Sequence, residues 1–424
     1  MSSLYDIYLK HQVITTDSRN CPEGSIFFAL RGDNFDGNLY AAKALECGAS
    51  YAVVDRPEVA TDNRYIVVSN VLLTLQELAA EHRCHLQIPI IGITGTNGKT
   101  TTKELIATVL ARKYRTTATV GNLNNHIGVP LTLLSIPTDA QIAVVEMGAN
   151  HPGEIAELAK IVRPTHALIT NVGKAHLEGF GSIEGVLQTK KALYDQVKST
   201  RGTLIVNIAD PMLVDAVDDY APIVTYSASD SIAADVNAHI VPSSTPYLNI
   251  KWRERHIESH FIGTYNINNI LAAITVGENF DVPHNKIEAA IREYTPTNSR
   301  SQLTTTEHNT LIVDAYNANP TSMAASLDSF ATIEATNKTA ILGDMLELGT
   351  QSADEHSKIV EQLAHLGLKA ILIGDQFAQC KGNNISLPNT AQLIDYLQAH
   401  PLTAHTILLK GSNGIGLQKV VKYL

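Results

Sequence analysis

The segment Gly92-Ile93-Thr94-Gly95-Thr96-Asn97-Gly98-Lys99-Thr100 joins a buried apolar run to a helix-forming stretch. Glycines in such a turn let backbone N–H groups point inward around phosphate oxygens, and the helix N-terminus adds its dipole. Lys99 is placed to reach the β- and γ-phosphates of a nucleotide, and the Thr100 hydroxyl to coordinate Mg²⁺. The spacing departs from the common phosphate-loop pattern. The usual first glycine falls at Ile93, and Gly95 supplies the turn instead. A glycine-rich turn without a ligand is the plain alternative, and the adjacent Lys and Thr argue against it.

Three further segments carry candidate chemistry. Glu146 closes the strand-like run Ile142-Ala143-Val144-Val145, where ligands sit in open α/β sheets, and its carboxylate suits a hard cation. His176 lies in Asn171-Val172-Gly173-Lys174-Ala175-His176, again after a strand. It is a candidate for a second metal or a phosphate, although a loop histidine by itself is more often a plain polar residue. Lys190 and Lys191 fall on a helical stretch from Ile183 to Lys198, and taken alone they read as a solvated basic face.

These residues need a scaffold, and the chain is long enough for two or three domains at 424 residues. Hydrophobic residues make up 44% and charged residues 17%, which supports ordinary cores and not disorder. A net charge of −10 argues against nucleic acid as a partner. Cys21, Cys47, Cys84 and Cys380 are scattered, so neither zinc nor a disulfide framework is expected. No apolar run approaches a membrane span, and the N-terminus lacks a signal peptide, so a cytoplasmic protein is expected.

Alternation of strands and helices gives an α/β protein. Residues 1–86 read as a small α/β unit with a helix over Asn38–Cys47. Residues 87–298 read as a mostly parallel sheet with an antiparallel appendage at 235–262. Residues 299–424 read as a doubly wound, Rossmann-like unit with four buried strands.

Taken jointly, Gly95 to Thr101, Glu146 and Ala175-His176-Leu177-Glu178-Gly179-Phe180 resemble the Mur ligases of peptidoglycan synthesis. The segments Leu123–Pro130, Glu146–Ile155, Asp314–Pro320 and Gly343–Gly349 narrow the likeness to the branch that joins D-Ala-D-Ala to UDP-N-acetylmuramoyl-tripeptide. The resemblance implies three domains: a small domain for the uridine nucleotide, a central P-loop ATPase-like domain and a closing C-terminal domain. It implies ATP and two Mg²⁺ ions. Thr100 and Glu146 would serve one metal, and His176 and a carbamylated Lys190 the other. Carbamylation would turn a cation into a carboxylate-like ligand. Asn266 and Asn269 are expected near adenine, Arg300 and Asp314 near the nucleotide, and Tyr316, Asn317 and Asn319 near the interdomain cleft. Ser18, Arg19, Asp36 and Gly37 are expected near the uridine nucleotide. Several positions depart from the family pattern, among them Asn38 and Tyr265, where histidines are usual.

The implied reaction phosphorylates a substrate carboxylate, after which the dipeptide amine attacks the acyl phosphate. Lys99, Lys190 and His176 are the expected catalytic groups, acting by positioning and charge neutralisation in a monomer. A folate-type polyglutamate ligase, another Mur ligase and a non-catalytic nucleotide-binding regulator are the alternatives.

Overall fold

The computed structural model describes residues 3–243, 245–296 and 300–424. The expected boundary between residues 298 and 299 lies outside the described residues. Three large sheets divide the rest into a three-domain α/β architecture.

The first sheet has four parallel strands in the order Ile14–Thr15, Ile26–Phe28, Tyr51–Val54 and Tyr65–Val67. The helix expected over Asn38–Cys47 starts later than its periodicity suggests. A 3-10 turn spans Gly37–Tyr40, and the α-helix is Ala41–Glu46. Asp36 causes this entry, because its carboxylate accepts the Asn38 N–H at 3.0 Å and caps the turn.

The second sheet has nine strands. Its centre is Ile90–Thr94, flanked by Ile142–Glu146 and His166–Ile169, all parallel. Every residue of Ile90–Thr94 and of Ile142–Glu146 is buried, as expected for strands covered on both faces. Strand alternation sorts them. Ile91, Ile93, Ile142 and Val144 enter one core, and Ile90, Ala143 and Val145 enter the other. The appendage expected at 235–262 is a continuation of this sheet. Val236–Val241 pairs in parallel with Ile223–Ser227, and only then do Tyr247–Trp252 and Arg255–Ile262 add antiparallel strands.

The third sheet has six strands, two more than the four expected. The four apolar runs form its centre. The extra strands are edges: Gln302–Thr305, which pairs antiparallel, and Ile385–Leu387, which pairs in parallel. Both are short and partly exposed, so no apolar run marks them.

The helix Val71–His85 ties the first unit to the second. Its buried Arg83 donates from Nε to the Val162 carbonyl at 2.8 Å, from Nη1 to Leu86 at 2.7 Å and from Nη2 to Arg163 at 2.9 Å. All three acceptors are main-chain oxygens. Among the described residues, no helix is long and apolar enough to cross a membrane. Arg83→Met should lower stability by about 2–4 kcal/mol, because buried carbonyls lose charge-assisted donors. Arg83→Lys should recover only part of this, since an ammonium lacks the planar fork. Urea unfolding of both variants checks it.

Candidate active site

The phosphate loop is shaped by two close approaches. Gly95 has φ +148°, and a Cβ there would lie 1.9 Å from the Thr170 hydroxyl oxygen. Gly98 has φ +78°, and a Cβ would lie 2.5 Å from Asn269 Oδ1. Side chains are excluded at both positions. The loop is also stitched to the end of the neighbouring strand. The Thr96 N–H donates to the Asn171 carbonyl at 3.0 Å, and the Asn97 N–H to Asn171 Oδ1 at 3.0 Å. Thr170 Oγ1 and Asn171 Nδ2 donate to the Asn97 carbonyl at 2.6 and 3.0 Å.

Lys99 begins the helix Lys99–Leu110 and folds back over the loop. Its Nζ donates to the carbonyls of Gly95 and Thr96 at 2.8 and 3.1 Å. Lys190 reaches the same Gly95 carbonyl at 3.0 Å from the helix Ile183–Ser199, and it is buried. Burial pushes both lysines below the ordinary range. Lys99 also lowers Lys190, while Glu146 partly opposes the effect on Lys99. Lys191 does something different: it pairs with Asp195 and Asp218 at the surface. The basic-face reading therefore holds for Lys191 and fails for Lys190.

Glu146 sits opposite Ile93 in the adjacent parallel strand, so its carboxylate emerges beside the loop. Thr100 Oγ1 donates to Glu146 Oε1 at 3.2 Å, and Asn124 Nδ2 to the same oxygen at 2.8 Å. Glu146 Oε2 is buried and has no hydrogen-bond partner among the described residues, although Lys103 Nζ lies 3.9 Å away. A hydroxyl and an orphaned carboxylate oxygen form a hard donor set that fits Mg²⁺. A second metal beside His176 and Lys190 fits less simply, because an unmodified ammonium is a cation. Among the described residues no group of three or more His, Cys, Asp and Glu side chains could hold a metal.

His176 has a left-handed backbone, φ 51°, and its Nδ1 lies against Glu347 of the third unit. Burial lowers its pKa first, Glu347 opposes this, and Lys99 and Lys190 add to it.

The third unit closes the site. Asn319 caps the helix Pro320–Thr332 by accepting the Ser322 N–H at 2.9 Å, and Pro320 suits the first helical position. The same Asn319 amide donates to Asn97 Oδ1 at 2.7 Å, across the two units. Arg300 stacks 3.7 Å from the Tyr316 ring centroid, and its buried Nε has no hydrogen-bond partner among the described residues. Asp314 and Lys410 are register partners at the carboxyl ends of adjacent parallel strands, and their side chains form a salt bridge. Asp314 also accepts the Ser301 N–H at 3.3 Å and the Ser326 hydroxyl at 3.2 Å.

These groups surround one cavity of about 1110 Å³. Thr96, Asn97, Gly98, Lys99, Thr100, Thr101, Glu146 and His176 line it from the second unit. Arg300, Asp314, Tyr316, Asn317 and Asn319 line it from the third. Asn266 and Asn269 also line it, but their amides are committed. Asn269 Nδ2 donates to Asn266 Oδ1 at 2.8 Å, and Asn269 Oδ1 accepts from Thr102 at 3.0 Å. Gly95 and Lys190 are not part of the lining. A smaller cavity of about 250 Å³ adjoins it, lined by His176, Tyr316, Asn317, Asn319, Glu347 and Ser412 among others.

Ser18, Arg19, Asp36 and Gly37 do not line the large cavity; they lie in the first unit. Ser18 is buried. Arg19 is exposed and grips Asp17 with two bonds of 2.9 Å, which holds the Asp17 carboxyl down at about 2. Asp36 pairs with Arg56 at 2.9 Å. Asn38, where a histidine is usual, bridges Asp36 and Asp55 with bonds of 2.8 Å each. Tyr265 is half-buried, lines the large cavity and bonds to Ser301 at 2.8 Å. Sequence reasoning missed Asn124, Asn171 and Lys410 as site residues. Asn124 and Asn171 lie in segments that the sequence singles out, but their partners are distant in sequence.

Gly95→Ala should weaken nucleotide binding by at least about tenfold. Titration calorimetry with an ATP analogue checks this, with circular dichroism as the control for folding.

Three family models match the chain: the Mur ligase family catalytic domain over 10–89, the Mur ligase middle domain over 93–277 and the Mur ligase glutamate ligase domain over 299–413. Among similar proteins is the UDP-N-acetylmuramoyl-tripeptide–D-alanyl-D-alanine ligase of Bacillus subtilis. It is 32% identical, over 97% of this chain and 92% of that protein. The Escherichia coli ligase of the same name is also 32% identical, over 97% and 93%. The crystal structure of MurF from Acinetobacter baumannii has a TM-score of 0.86 at 30% identity, covering 96% of this chain and 92% of that one. MurF from Thermotoga maritima, in complex with ADP, has a TM-score of 0.87 at 25% identity, covering 100% and 98%. With these matches running across all three units, the chain belongs to the Mur ligase family.

Proposed function

We propose that the protein is an ATP-dependent amide ligase that joins D-Ala-D-Ala to UDP-N-acetylmuramoyl-tripeptide, releasing ADP and phosphate. The observation that carries this reading is the single cavity in which the phosphate loop, Glu146 and His176 face Arg300, Asp314 and Asn319. The similar proteins of Bacillus subtilis and Escherichia coli bear the name of this activity. Residues 1–86 are assigned to the uridine nucleotide, 87–298 to ATP and 299–424 to closure and the dipeptide. Ser18, Arg19, Asp36 and Gly37 serve the uridine end; none of them lines the cavity. A monomer is the expected state. The cytoplasm, where ATP is available, is the expected compartment.

A carboxylate is a poor electrophile because oxide would have to leave. Transfer of the γ-phosphoryl group converts it to an acyl phosphate and leaves ADP. The neutral dipeptide amine then adds to the acyl carbon, its nitrogen gives up a proton, and the tetrahedral adduct expels phosphate, which leaves as hydrogen phosphate. Lys99 screens the γ-phosphate from the incoming carboxylate. Arg300 and Asp314 hold the nucleotide from the third unit, and Asn266 and Asn269 brace its adenine side. Bound Mg²⁺ neutralises phosphate charge; Thr100 and Glu146 would hold one ion, and His176 with modified Lys190 the other. Closure of the third unit excludes water that would hydrolyse the acyl phosphate. The small cavity beside His176, with Tyr316, Asn317 and Asn319, suits the dipeptide.

Carbamylation of Lys190 fits its surroundings. CO₂ adds to a neutral amine, and burial beside Lys99 favours that form. The amine loses a proton as the C–N bond forms, and the carbamate replaces a repelled cation with an anion.

Two measurements test the proposal. Phosphate release from MgATP should require both the UDP-tripeptide and D-Ala-D-Ala, with a pentapeptide product by mass. ATP binding without such release, against either the lysine or the diaminopimelate tripeptide, would leave a folate-type ligase or a nucleotide-binding regulator. Separately, activity should fall in CO₂-depleted buffer and return with bicarbonate. Lys190→Arg should be inactive in both conditions.

A further inference from the structure

We infer that Leu177 is a positioning residue: by seating in the third domain it holds His176 at the phosphate loop only when that domain is docked. This rests on the ligase reading, which places His176 among the groups that would hold the second metal ion. Leu177 belongs to the second unit by sequence, yet it is 4% exposed and falls in the buried cluster of the third, with Ala318, Met345 and Leu348. The residue before it, His176, is left-handed at φ 51°, a conformation that a histidine keeps only where its surroundings impose it.

The segment around Leu177 is anchored at both ends. Asn171 fixes it to the phosphate loop through the Thr96 and Asn97 N–H groups. On the other side the Lys174 N–H donates to Thr321 Oγ1 at 3.0 Å, and Lys174 Nζ to Glu355 Oε1 at 2.8 Å. The Glu355 side chain is 6% exposed, so this ion pair is well shielded at one end. The Glu178 N–H donates to the Glu347 carbonyl at 3.3 Å. His176 sits between the anchors and lines both cavities. A swing of the third domain would withdraw Leu177, Lys174 and the Glu347 contact together, and His176 would lose what fixes it.

The test pairs hydrogen exchange over residues 173–180 with steady-state kinetics. In the wild type, an ATP analogue plus the UDP-tripeptide should protect this segment. Leu177→Ala should leave it unprotected and lower kcat by about tenfold or more, as a small misplacement of a catalytic group does. Lys174→Met, at a half-exposed position, should do the same more weakly. Leu177→Met should behave as wild type. Wild-type exchange and kcat in Leu177→Ala would overturn the inference. So would a loss that comes with raised exchange throughout 300–424, a sign of an unfolded third domain, while Lys174→Met is silent. A wild type that shows protection without turnover would instead overturn the ligase reading.

Discussion

Lys99 and Lys190 donate to one carbonyl oxygen, that of Gly95, from different helices. Two ammonium groups so close together repel each other, and burial costs both part of their solvation. The arrangement is favourable when an anion shares the space or when one amine loses its charge. Much of the surrounding structure serves that condition. Thr170 and Asn171 fix the loop so that its carbonyl faces the amines. Glu146 brings a carboxylate one strand away, with one oxygen unpaired among the described residues. The third unit adds Arg300 from above, which would make the cation excess worse without a polyphosphate between them. The site is thus built around a negative charge.

What the sequence made legible follows from the range of each interaction. The phosphate loop and the strand before it are local patterns. Glu146 could be placed because a strand's register carries its last residue to the sheet's carboxyl edge. The four central strands of the third unit announced themselves as apolar runs, and its two partly exposed edge strands did not. Lys190 and Arg300 have ordinary neighbours in sequence and read as solvated cations; only the family resemblance singled them out. The Asn97–Asn319 and Asp314–Lys410 pairs span 222 and 96 residues, and no local pattern encodes a partner at such separations. Leu177 is the clearest case, since an apolar residue in a loop motif gives no hint that its pocket belongs to another domain.

The three units contribute unequally. The second supplies the phosphate loop, Glu146 and His176, and the third supplies groups that complete the cavity. The first lends one helix to the lining through Gln76 and Glu77, whereas its charged cluster, with Asp36, Arg56 and Asn38, does not line the cavity. A nucleotide-linked substrate long enough to reach from one region to the other fits this separation. Its remote end can be bound by contacts that do not change during reaction, while the reacting end meets groups that do.

Arg83 bears on how such a chain could diversify. Its guanidinium is satisfied by three main-chain carbonyls, and none of its bonds depends on a partner's side chain. Backbone oxygens persist through nearly any substitution at Val162, Arg163 or Leu86. The joint between the first two units is therefore tolerant of drift on the receiving side. A different recognition module presenting the same arginine could be grafted onto the same catalytic body, and the joint would carry over while the cargo changed.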